Sequence, residues 1–121
     1  MTKGRVLLVG GDPDVTRTLQ VYLDSHQFSV QTVRRGDEAL AACQQTPPDA
    51  VVLNWQLPDM NGHDLCQKMR ANAEIERCFI LVLLPATDRT TRLAALEAGA
   101  DDVMARPIDI EKLRLRIEGM L

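Results

Sequence analysis

Three unbroken apolar runs constrain this chain more than any other feature: Val6-Leu7-Leu8-Val9, Ala50-Val51-Val52-Leu53 and Phe79-Ile80-Leu81-Val82-Leu83-Leu84. A strand with one face in water alternates apolar and polar residues, whereas a run without alternation is covered on both faces. Each run is far short of the ~20 apolar residues that a membrane-spanning helix needs. They therefore call for a sheet with a layer of other structure on each side.

The intervening segments supply those layers. Gly10-Gly11 breaks the first run, and Asp12 or Asp14 is placed to cap a helix reaching Ser25, with Val15, Leu19, Tyr22 and Leu23 on one covered face. Phe28 to Val33 alternates as a second strand. Gly36-Asp37 opens a second helix that Pro47-Pro48 stops. The third strand ends at Asn54, and the turn formers Pro58, Asp59, Asn61 and Gly62 precede a third helix over His63 to Asn72. A fourth helix is expected over Thr87 to Ala98, with Gly99 suited to its left-handed C-cap. Val103-Met104-Ala105 makes a short fifth strand, and Asp109 caps a fifth helix with Leu113, Ile117 and Met120 on a covered stripe. Five strands alternating with five helices, without long linker or repeat, predict one domain over residues 1–121. Its class is α/β: a parallel sheet between two helical layers. Strand order does not follow from periodicity.

Composition narrows the function classes. A net charge of -3 and a pI near 5.3 give no general attraction for nucleic acid. The basic pair Arg34-Arg35 has the pattern of a solvated face. Cys43, Cys66 and Cys78 are scattered, with no C-x-x-C pair or histidine cluster to build a metal site, and fit reduced thiols in the cytoplasm. The opening Met1-Thr2-Lys3-Gly4-Arg5 leads into too short an apolar run for a secretory signal or membrane anchor.

Open parallel sheets place functional groups beyond the carboxyl ends of their strands. That selects Gly10, Gly11 and Asp12 after the first strand, Asn54 after the third, Pro85 and Ala86 after the fourth, and Arg106-Pro107 after the fifth.

These positions, with Leu53-Asn54-Trp55-Gln56-Leu57-Pro58-Asp59-Met60-Asn61-Gly62 and Ala95-Leu96-Glu97-Ala98-Gly99-Ala100-Asp101-Asp102, resemble the receiver domain of bacterial two-component response regulators. The resemblance implies a flavodoxin-like three-layer sandwich with strand order 2-1-3-4-5 and a cis peptide before Pro107. It also implies a phosphorylation site from which this chain departs at each principal position. The adjacent acids that help hold Mg2+ correspond to Gly10 and Gly11, followed by Asp12. The phosphoacceptor aspartate corresponds to Asn54, the hydroxyl residue at the end of the fourth strand to Pro85, the switch aromatic to Val103 and the lysine to Arg106.

The chemistry gives these departures weight. A carboxylate attacks phosphorus to form an acyl phosphate, whereas the Asn54 amide is a neutral hydrogen-bonding group. Mg2+ requires hard oxygen ligands, and glycines bring no side-chain oxygen. The expectation is a degenerate receiver, without enzymatic activity, metal or cofactor, acting by dimerisation or partner binding. The resemblance points to the face of the fourth helix, fifth strand and fifth helix, where Arg92, Asp101, Asp102, Glu111, Lys112 and Arg114 are candidate contacts. Leu93 and Leu96 have a competing reading as core residues. A small-ligand sensor using the vacated site and an altered phosphoreceiver are the alternative functions. A further effector domain, no membrane association and no direct nucleic-acid contact complete the expected setting.

Overall fold

The computed structural model describes residues 2–73, 75 and 77–121. The strands are β1 (Gly4–Val9), β2 (Phe28–Val33), β3 (Ala50–Asn54), β4 (Phe79–Leu84) and β5 (Asp102–Ala105). The helices between and after them are α1 (Pro13–Ser25), α2 (Gly36–Gln45), α3 (Gly62–Ala71), α4 (Arg89–Ala98) and α5 (Ile110–Met120). All strand pairs are parallel, in the order β2-β1-β3-β4-β5. This is the flavodoxin-like sandwich and the strand order that the resemblance implied.

The two-residue period of a strand divides the core into halves. Leu7, Val9, Val51, Leu53, Ile80, Val82 and Leu84 face Ala39, Cys43, Leu65, Met69 and Ala95, which come from α2, α3 and α4. Val6, Leu8, Val52, Leu81 and Leu83 face Leu19 and Leu23 of α1 and Leu113 and Ile117 of α5. All six residues of β4 are buried. Removing one such leucine or isoleucine from water stabilises the fold by about 1.5–3 kcal/mol. The thiols of Cys43, Cys66 and Cys78 are free and lie within the first of these halves. Burial pushes Cys43 and Cys66 each up to about 11, leaving them as protonated packing groups at neutral pH.

Helix starts follow the side chains that precede them. Asp12, Asn61, Asp88 and Asp109 accept from the backbone N–H groups of Asp14, Asp64, Thr90 and Lys112, respectively. With Asp88 as cap, α4 begins at Arg89, two residues later than the periodicity suggested. Gly99, at φ 120°, ends it in the left-handed conformation expected. Four positions with a reading as core lie outside instead: Val15 (38% exposed), Met120 (58%), Leu93 (47%) and Leu96 (38%). The reason on α4 is that the small residues Ala95 and Ala98 make its close approach to the sheet.

The cap of α2 comes from elsewhere in the chain. Asp59, in the loop after β3, accepts from Gly36 N at 2.8 Å and Asp37 N at 3.0 Å, while the Met60 side chain packs over Gly36. These N–H donors, Gly36 first, hold the Asp59 carboxyl below its usual range. A carboxyl whose pKa is lower folded than unfolded contributes stability that is present above its unfolded value of about 3.9 and lost as pH falls through its folded value. Thermal melts of Asp59→Asn against the parent protein between neutral and acid pH are expected to show the largest deficit near neutrality. The two curves should converge as the medium becomes acid; parallel curves throughout would show that Asp59 adds nothing to the pH dependence.

Candidate functional site

At the carboxyl edge of the sheet the chain leaves β1 through Gly10 and Gly11, at φ 72° and 88°. This is the left-handed region, in which a side chain costs about 1–3 kcal/mol. The space beside each glycine is also taken. A Cβ on Gly10 would run into the Leu57 side chain, and one on Gly11 would lie 2.6 Å from Asn54 Nδ2. The glycines are therefore required by both the backbone turn and the residues packed over it.

Asn54 is half-buried at the end of β3, and its Nδ2 donates to the Val9 carbonyl at 3.0 Å. The bond ties the ends of two neighbouring strands through an amide N–H, a donor that a carboxylate lacks. Thr16 Oγ1 donates to the Gly10 carbonyl at 3.1 Å. Asp12 Oδ1 accepts from Asp14 N at 2.8 Å as the α1 cap. No ion pair joins Asp12 to Arg106 among the described residues.

The other expected positions fall as follows. Pro85 lies one residue past β4, whose final residue is the buried Leu84, so the strand end carries neither proline nor hydroxyl. Val103 is buried in β5 at 3% exposure, packed with the α2–α3–α4 half of the core. Arg106 is exposed, and the Arg106–Pro107 bond is cis.

Gly10, Gly11, Asp12, Asn54, Pro85 and Arg106, although distant in sequence, line one cleft of about 340 Å3. Arg34, which follows β2, and Trp55 and Leu57 of the β3–α3 loop line it too. That loop is closed by Gly62 N donating to the Trp55 carbonyl at 2.7 Å and by the Asp59 contacts with α2.

The family pattern described as the response regulator receiver domain matches residues 6–118. This chain belongs to the receiver-domain family. It is 32% identical over 117 residues to the phosphate regulon transcriptional regulatory protein PhoB of Rhizobium meliloti, covering 97% of this chain and 52% of the relative. It is 33% identical over 117 residues to the DNA-binding response regulator MtrA of Mycolicibacterium smegmatis, covering 97% and 50%. The chain thus spans about half the length of these curated relatives. Among solved structures, a chain described as a response regulator of Chloroflexus aurantiacus superposes with a TM-score of 0.92 at 29% identity, covering 97% of this chain and 96% of that one. A two-component response regulator from Clostridium difficile gives a TM-score of 0.90 at 25% identity, covering 99% and 95%.

Receiver domains are modules of two-component signalling, and the Mg2+ implied for their phosphorylation is a poor match to the donors here. Of the oxygens near the turn, the Val9 and Gly10 carbonyls already accept hydrogen bonds and Asp12 is half committed to its cap. The residues at the acidic positions have no side chain, and two arginines, Arg34 and Arg106, line the same cleft. The residues present do not fit the ion.

On the face of α4, β5 and α5 the candidate contacts separate into two groups. Asp101 is held by Arg70 Nη2 at 2.6 Å and by Ile80 N at 2.8 Å, so it braces α3 against β4. Arg114 points to α1, donating to the Tyr22 hydroxyl at 2.9 Å and pairing with Glu118 at 3.1 Å. Asp102 pairs with Arg116 at 3.0 Å. All three also make ties within the chain, formed with partners that a reading of local sequence does not reveal. Arg92, Glu111 and Lys112 remain exposed, as do Leu93 and Leu96.

The glycine turn makes a direct prediction. Gly11→Asp should lower unfolding free energy by about 1–3 kcal/mol in urea titrations, from its left-handed backbone and its clash with Asn54. Gly119→Ala, at a helical position with open space around it, should be neutral or slightly stabilising. Equal effects at the two positions would contradict this account.

Proposed function

We propose that this domain is a phosphorylation-independent receiver, acting in cytoplasmic signal transduction by protein contact and not by enzymatic turnover. The observation that carries this reading is the Asn54 side chain donating to Val9 O, packed against a glycine where the metal-binding acid is expected. The nucleophile and the side-chain metal ligands are replaced together, and what replaces them is packed into the fold.

The contact surface assigned is the face of α4, β5 and α5. Leu93 and Leu96 are 47% and 38% exposed on α4, with Arg92 beside them and Lys112 on α5. Apolar side chains with cations at their margin suit a protein partner or a second copy of the chain. The relatives carry about as much chain again, and one is named as DNA-binding. With a net charge of -3, nucleic-acid contact is assigned to no part of this domain.

Incubation with acetyl phosphate and Mg2+ followed by intact mass measurement is expected to show no phosphoryl adduct. Asn54→Asp is expected to show none either, because Gly10 and Gly11 still offer no carboxylate. A stoichiometric adduct on the unaltered protein would identify an altered phosphoreceiver instead. For the interface, sedimentation over a range of concentrations should show self-association that Leu96→Asp weakens about tenfold or more, with the thermal midpoint unchanged. A protein monomeric throughout would remove the homodimer and leave a heterologous partner.

A further inference from the structure

Asparagine followed by glycine is the pair at which a chain most readily modifies itself, and this chain has one, Asn61–Gly62, where α3 begins. Because glycine has no Cβ, its backbone nitrogen can reach the asparagine Cγ. The Gly62 nitrogen gives up its proton and attacks that carbon. The Cγ–Nδ2 bond breaks, and the departing nitrogen takes up a proton and leaves as ammonia. Water then adds to either carbonyl of the resulting cyclic succinimide, giving aspartate or isoaspartate. No oxidant, cofactor or second protein is needed. The other asparagines precede residues with side chains, Asn54 before Trp55 and Asn72 before Ala73.

The fold opposes ring closure at several atoms. The Gly62 N–H, whose proton must be surrendered, donates to the Trp55 carbonyl at 2.7 Å. Asn61 Oδ1 accepts from Asp64 N at 2.8 Å, which fixes the side-chain amide as the cap of α3. Asn61 is extended, at φ -89° and ψ 161°. To close the ring, the Gly62 nitrogen must swing about the Asn61 Cα–C bond towards Cβ, which pulls Gly62 out of the first turn of α3. Gly62 is buried, and a Cβ there would lie 3.0 Å from both the backbone and the ring of Trp55, so the space for that movement is filled. Asn61 itself is exposed, and water reaches its side chain. The bridge between Gln56 and Asn61 and the Asp59 bonds to Gly36 and Asp37 hold the same loop shut.

We propose that Asn61–Gly62 is a site of spontaneous deamidation gated by the β3–α3 loop: the closed loop suppresses the reaction and local opening releases it. The rate then follows the population of open loop. The gate reaches back to α2, because Asp59 is the residue through which the start of that helix holds the loop. The two products differ in what they do to α3. Aspartate keeps a capping oxygen at position 61, whereas isoaspartate routes the main chain through the side-chain carbon and displaces that oxygen. Either product adds a negative charge at the start of α3.

Incubating the folded protein at neutral pH beside the same protein in guanidinium chloride tests the gate, with peptide mapping and isoaspartate-specific methylation as readouts. Conversion at Asn61 is expected to run at least about tenfold slower in the folded protein. Asp59→Ala removes both bonds to α2 and should raise the folded rate severalfold, with circular dichroism establishing that the variant is folded. Asn61→Ser keeps a capping hydroxyl and should abolish the fast phase of amide-to-acid mass gain in the unfolded protein. Equal rates in the folded and unfolded parent overturn the proposal, as does conversion at Asn54 or Asn72 ahead of Asn61. A folded Asp59→Ala that converts no faster than the parent overturns the role of α2 in the gate. The comparison of folded and unfolded parent needs no variant, so it decides the protection even where Asp59→Ala fails to fold.

Discussion

Everything in this structure hangs on the burial of β3 and β4 from both sides. Strands that are apolar at consecutive positions are stable only with a layer over each face, and parallel neighbours need a crossover long enough to provide it. The helices satisfy both demands at once: α1 and α5 cover one face, and α2, α3 and α4 the other. Because each crossover leaves from the same edge, the residues following the strands gather there. The cleft owes its position to the sheet and its chemistry to a few replaceable side chains.

Those side chains form a set. Asn54 uses its amide N–H to hold Val9 O, a bond that would be lost with a carboxylate. Gly11 leaves room for that amide and Gly10 for Leu57. Arg34 and Arg106 then line a cleft with only one acid to offset them. Electrostatically the site is the inverse of one built around a divalent cation. Packing makes it self-consistent, so the glycines and the amide support one another. The surrounding scaffold remains that of a receiver domain, with a TM-score of 0.92 to a solved relative.

The sequence made the strands legible where they were continuously apolar, and the helix starts where an aspartate or asparagine preceded them. Strand order was accessible only through the family resemblance, because a two-residue period states which face a residue occupies and not which strand lies beside it. The residues that depart from the family pattern at the strand ends could be named only through the same resemblance. Arg34 was seen as part of a basic pair and not as a cleft residue, although it follows the end of β2 just as Arg106 follows β5; applying the strand-end criterion to all five strands would have found it. Leu93 and Leu96 had competing readings as core and as surface, and the exposure of both follows from Ala95 and Ala98 making the close contacts. The tie of Asp101 to Arg70 was not legible, because the partner lies 31 residues away and periodicity carries no such information. The Asp59 cap of α2 escaped for the same reason, spanning 23 residues.

The turn at Gly10 and Gly11 bears on how this domain can change. A carboxylate introduced there first meets an unfavourable backbone and an occupied space; an aspartate introduced first at Asn54 gives up the tie to Val9. Each single step is downhill in stability. Acidic side chains at these positions therefore call for several concerted replacements and a repacked Leu57, so the few atoms that shape the turn also restrict which sequences it admits.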